Sequence, residues 1–83
     1  MIALLAPRSH RIAVKASHGW MVLRADGSRE FRSNEDLECD HTFRDDGDMH
    51  VVNVGSLEEA TSELNASMAE MDALDLLLLP MWW

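Results

Sequence analysis

Three side chains of this sequence have the types that hold a metal ion or attack a substrate: Cys39, His41 and His50. Cys39 and His41 are two apart and share a face if their segment is extended. His50 comes alongside if the segments flanking the Asp45–Asp48 turn pair as strands. Glu38 or Asp40 could then complete a tetrahedral set of thiolate, imidazole and carboxylate. A structural zinc site shows two paired-ligand knuckles, and this chain has at most one. The expectation is therefore no metal and no other cofactor, with a small metal-binding regulator as the second alternative. Cys39 as a nucleophile beside His41 or His50 would also need an oxyanion donor and a cleft. A chain of 83 residues leaves little room for a cleft. Gly19, Gly27, Gly47 and Gly55 stand singly at turns, which excludes a phosphate-cradling loop. The run Asp45-Asp46-Gly47-Asp48 lacks the ligand spacing of a calcium loop and reads as a solvated turn. The reading is that the protein is not an enzyme.

Charge offers more. The formal net charge is −8, divided as +4 over residues 1–34 and −12 over residues 35–83. Such a chain is repelled by phosphates, so direct binding of nucleic acid is not expected. Glu35, Asp36, Glu38, Asp40, Asp45, Asp46 and Asp48 crowd one stretch, and Glu58, Glu59 and Glu63 ride a predicted helix. If both sets lie on one side, they form an extended negative surface that attracts a basic protein. Carboxylates spaced along a small domain can imitate a phosphate backbone. The bland alternative is a solvated face that keeps the protein soluble. The function expected from these residues is an acidic protein-interaction module. Its sharper form is an inhibitor that mimics nucleic acid before a basic, nucleic-acid-handling protein. Small acidic α+β proteins of this sort occur among phage-encoded anti-defence proteins, the anti-CRISPR proteins included, a likeness of size and charge alone.

The end of the chain raises a different chemistry. Leu76, Leu78, Met81, Trp82 and Trp83 belong to an apolar run, 76–83, that is costly to leave in water. Aromatics with methionine are typical interface anchors. The run either closes the domain's own core or completes a homodimer, which makes a self-associating assembly protein the first alternative. A chain this short buries only about 60–65% of its unfolded surface, so either use of the tail helps. Cys39 is the single cysteine, which rules out a disulfide within the chain and fits a reducing compartment. The opening run Met1–Pro7 is too short, and lacks the preceding basic residue, for a signal sequence. No stretch reaches the length of a membrane span. Cytoplasmic location is expected, in the host if the gene is a phage's.

The elements that would position these groups follow from periodicity. Arg11–Ser17 alternates as a half-buried strand. Trp20–Ala25 is a second strand, and Asp26-Gly27 predicts a two-residue hairpin into a third, Arg29–Arg32, at or near an edge. Ser33 with Asp36 predicts one capped helical turn. His41–Arg44 reads as a short strand centred on Phe43. Met49–Val54 is apolar on both faces and reads as a strand inside the sheet. Ser56 and Glu59 form a capping pair that opens a helix over residues 56–72. Its stripe is Leu57, Ala60, Leu64, Met68 and Met71. Asp72 and Asp75 fall on or near that stripe, so the helix is expected to end, bend or leave the sheet between them. The whole is one α+β domain: a small antiparallel sheet of four to five strands with one C-terminal amphipathic helix packed on one face.

Overall fold

The computed structural model describes the backbone of residues 1–78 and the side chains of residues 1–73. Five strands form one antiparallel sheet: β1 (Ile2–Ala6), β2 (Arg11–Lys15), β3 (Trp20–Arg24), β4 (Arg29–Arg32) and β5 (His50–Asn53). Their order is β4-β3-β2-β1-β5. A 3-10 turn over Pro7–Ser9 joins β1 to β2. Two short helices, α1 (Asn34–Glu38) and α2 (His41–Arg44), precede β5, and a long one, α3 (Leu57–Leu78), follows it. The architecture is α+β, as the periodicity implies.

An interior strand is the one that periodicity leaves unassigned. β1 pairs with β2 on one side, Leu4 opposite Ala13 and Leu5 opposite Ile12. On the other side it pairs with β5, Leu4 opposite Val51 and Leu5 opposite His50. Both of its faces meet apolar neighbours, so the run Ile-Ala-Leu-Leu-Ala carries no polar alternation to mark it as a strand.

The register sorts the core into two halves. Ala3, Leu5, Ile12, Val14 and Leu23 point to one face, which Ala60 and Leu64 of α3 close. Ala6, Ala13 and Val22 point to the other, which Leu37 of α1 and Phe43 of α2 close. The molecule therefore has three layers, with α3 on one side of the sheet and the α1–α2 pair on the other.

Phe43 explains one correction. His41–Arg44 is a helical turn and not a strand. Asp40 precedes it and its carboxylate accepts the Thr42 N–H at 2.9 Å, which starts a helix where a four-residue window with one apolar residue fits either period. A second correction concerns β5. Apolar residues on both of its faces suggest an interior strand, yet it is an edge strand, and Val51 is 62% exposed. The third concerns the hairpin. Gly27 N–H bonds Arg24 O and only Gly27 has positive φ (89°), so Ala25-Asp26-Gly27 is a three-residue loop. The Asp26 carboxylate accepts the Ser28 N–H at 2.8 Å, and a loop of this length needs only one left-handed residue.

α3 begins as its caps dictate. Ser56 Oγ accepts the Glu59 N–H at 3.1 Å, and Glu59 reaches back to the Gly55 N–H at 2.6 Å, one residue earlier than in the usual reciprocal pair. Ala60 and Leu64 are fully buried, Leu57, Met68 and Met71 half-buried, and Asp72 and Ala73 exposed. The sheet's cover thus ends near Met71, where the stripe meets Asp72. The helix itself does not end there; its backbone runs through Asp75 to Leu78. At 22 residues it is roughly 33 Å long, about twice the length of a five-residue strand. Leu76 and Leu78 lie on that backbone, and Met81, Trp82 and Trp83 lie outside the described residues.

The edge strand β4 lies close to the β2–β3 turn. A Cβ on Gly19 would stand 2.4 Å from the Arg32 carbonyl oxygen and 2.7 Å from the Phe31 ring, so only glycine fits. Two cores on opposite faces predict two sensitive positions. Leu64→Ala and Phe43→Ala should each cost about 2–5 kcal/mol in chemical denaturation, because each leaves a cavity. Val51→Ala should cost about 1 kcal/mol or less. A near-neutral Phe43→Ala would mean that the α1–α2 layer is not packed on the sheet.

Candidate protein-binding surface

The acidic residues divide by use. Asp40 and Asp46 are each 9% exposed. Asp46 accepts the N–H groups of Ser9 and Asp48, both at 2.9 Å, and so ties the 3-10 turn to the loop before β5. Asp48 forms an ion pair with Arg8 across the same junction. These three carboxylates hold the chain together and offer little to a partner. Glu59 is occupied with the start of α3. Glu35, Asp36, Glu38 and Asp45 are exposed, and no ion pair among the described residues involves them. Glu58 and Glu63 are exposed on α3.

The two acidic sets do not share a side. Glu35, Asp36, Glu38 and Asp45 belong to the layer over Ala13 and Val22, while Glu58, Glu59 and Glu63 belong to the layer over Ile12 and Leu23. The sheet lies between them, so the continuous acidic face that sequence allows is not formed. What remains on the α1–α2 side is four exposed carboxylates.

Below that group sits a charged network that sequence reasoning did not single out. Arg32 pairs with Glu30 at 3.1 Å and stands 3.4 Å from Asp40, and Arg24 reaches Glu30 at 2.5 Å. Arg11 donates to the Thr42 hydroxyl at 3.2 Å. Arg11 and Arg24 face each other directly across β2 and β3, a like-charge pair that needs anions nearby. Asp40 and Glu30 supply them. Burial pushes the Asp40 carboxyl up, but the Thr42 hydroxyl and N–H, with Arg32 and Arg11, outweigh it and hold the pKa below the usual aspartate value. Hydrogen bonds from Arg24 and Arg32 lower Glu30 likewise. Glu30 and Arg32, two apart on β4 and so on one face, with Glu30 diagonal to Arg24 of β3, are the sequence signal for this network.

The proposed metal ligands are separated in the same way. Cys39 ends α1 and His41 begins α2, both exposed, on one side of the sheet. His50 stands opposite Leu5, on the α3 side. The geometry on which the site rested needed His41–Arg44 to be a strand. No group of three His, Cys, Asp or Glu residues able to hold a metal occurs among the described residues.

Asp48, His50 and Ser67 line one open depression together with Pro7, Glu70 and Met71. These are the residue types of a hydrolytic triad, but not its arrangement. His50 Nδ1 contacts the Asp48 backbone carbonyl at 2.9 Å, and the Asp48 carboxylate is engaged by Arg8. No hydrogen bond joins Ser67 to His50 among the described residues. No helix among those residues is long and apolar enough to cross a membrane.

Sequence reasoning also missed the exposed apolar side chains Met1, Ile2 and Val51, at 52%, 52% and 62% exposure. Their only signal was the absence of charge from Met1–Ala6 and from Met49–Val54. Comparison of the chain with protein-family models, with curated proteins and with solved structures finds no match.

The network predicts an acid response. A carboxylate whose pKa falls on folding contributes stability above its unfolded pKa, and that contribution is lost as pH drops through the folded value. Asp40 should therefore weaken the fold only below about pH 4. In denaturant titrations repeated across pH, Asp40→Asn should lower stability at neutral pH and flatten the decline below about pH 4. An unchanged acid limb would show that the Asp40 carboxylate is not held by Thr42 and Arg32.

Proposed function

We propose that the chain is a small protein-binding module that presents Glu35, Asp36, Glu38 and Asp45 to the basic surface of another protein. The observation that supports this reading is their exposure on one layer, outside the ion pairs that consume Asp40 and Asp48. Exposed carboxylates on two short, successive helices offer a basic groove the same sign of charge as phosphates do. The partner that fits is a nucleic-acid-handling protein with a basic groove, and the protein would inhibit it by occupying that groove. A phage-encoded inhibitor of a host defence, acting in the host cytoplasm, is the setting in which such a module makes sense. A net charge of −8 favours encounter with a basic partner and disfavours nucleic acid itself. Self-association is the second reading, and the uncharged edge at β5 favours it.

Charge reversal separates a specific acidic face from general acidity. Glu38 and Asp45 end α1 and α2, positions where a cation suits the helix dipole, so E38K with D45K should keep the fold. Glu63 and Glu70 are exposed on α3, and E63K with E70K changes the net charge by the same amount. Capture of a basic partner should fall by roughly tenfold or more in the first pair and much less in the second. Binding should weaken in high salt, and added duplex DNA should displace the module. Equal loss in both pairs would reduce the effect to net charge.

A further inference from the structure

The two edges of the sheet are protected unequally. β4 carries Arg29, Glu30 and Arg32 along its four residues, the charged pattern that blocks strand addition. β5 is His-Val-Val-Asn, with no fixed charge and no proline, and among the described residues no helix is drawn across it; α3 packs mainly over β2 and β1. The backbone of β5 is also oriented for pairing. Val54 N–H bonds Met1 O at 2.8 Å, which makes Met1 and Val54 a hydrogen-bonded pair of the β1–β5 ladder. Such pairs alternate along an antiparallel ladder. Val52 and His50 are then turned toward β1, and the N–H and C=O of Val51 and Asn53 point outward, away from the sheet. Beside them, on the face opposite α3, Val51 and Ile2 are more than half exposed, with Leu4 only partly buried between β5 and β2.

We propose that β5 is a self-pairing edge, through which two copies of this chain join β5 to β5 about a two-fold axis and double the five-stranded sheet. A second copy is the occupant that the symmetry of the edge fits, and charge decides where on the surface it can sit. Each copy carries −8, so two copies repel wherever their acidic helices approach. The four residues of β5 and the flanking Met1 and Ile2 carry no acidic side chain; Asp48 at the His50 end is paired with Arg8, and Glu70 of α3 stands beside His50 on the face away from Val51. An antiparallel edge is also self-complementary: Val51 and Asn53 of one copy offer N–H and C=O to the same groups of the other. The apolar side chains beside the edge widen a contact that four residues of backbone alone would leave small. The proposal rests on the self-association reading and is independent of the acidic surface.

Sedimentation and amide hydrogen exchange on the full chain test it. The wild-type chain should be a dimer at high concentration, with the Val51 and Asn53 amides protected there and exchanging rapidly after dilution to monomer. Val51→Lys places two charges in the seam and should raise the dimer dissociation constant by roughly tenfold or more. Asn53→Lys, at another exposed position of the same edge, should do the same if V51K folds poorly. The double variant W82S/W83S should leave dimerisation intact. A chain that stays monomeric at every concentration overturns both the proposal and the reading beneath it. A dimer that survives V51K and N53K, or whose Val51 and Asn53 amides exchange freely, overturns the β5 seam. Self-association would then stand, placed at the C-terminal run if W82S/W83S abolishes it.

Discussion

β1 joins the two halves of the chain, because β5 reaches the β2–β3–β4 meander only through it. Ala3 and Leu5 enter the core under α3, and Leu4 and Ala6 face the α1–α2 layer. A strand that is apolar on both faces allows helices on both faces, and that is the origin of the three layers. The price of this arrangement is distance along the chain. Pairing Leu5 with His50 closes a loop of about forty-five residues, a long-range contact whose entropy must be offset by the burial it completes. The caps at Ser33 and Asp40 make this closure less costly by fixing local geometry in the intervening segments.

Charge in this molecule is arranged in depth as much as over area. The surplus of bases in the first 34 residues lies mostly on β2, β3 and β4, whereas the acids follow on helices and loops. Folding brings some of each together: Asp40 against Arg32, Asp48 against Arg8, Glu30 between Arg24 and Arg32. Surface pairs of this kind contribute little each. Asp40 differs because its carboxylate is buried, caps α2 and answers Arg32 and Arg11. The acids left over are therefore a selected remainder, and their position is set by which carboxylates the fold consumes.

Much of the fold could be read from the chain alone, for reasons that residues make plain. β2 alternates, β4 has one aromatic among charges, and α3 carries a stripe at helical spacing behind a Ser56–Glu59 cap. Each of those signals is local. β1 and β5 gave the wrong or no signal because apolar residues on both faces mean burial in one case and an open edge in the other. Only pairing distinguishes Leu4 from Val51, and pairing is a long-range fact. His41–Arg44 failed for a different reason: one apolar residue in four fits any period, and the decisive residue, Asp40, lies outside the segment. The candidate site was legible as composition but not as geometry. Nothing in the order of the acids says that the sheet separates Asp45 from Glu63, or that Asp46 faces inward to hold Ser9.

The sheet's order has a consequence for synthesis. β1 leaves the ribosome before the other four strands, and β2, β3 and β4 can zip onto it as soon as residue 32 has emerged. The outer side of β1, an uncharged apolar edge, then stays open while some twenty more residues are made. β5 closes it and becomes the edge in its place. Nascent chains crowded on one message would meet at the same uncharged side that the finished protein displays. The open edge of the half-made sheet and that of the finished one are thus successive forms of a single edge.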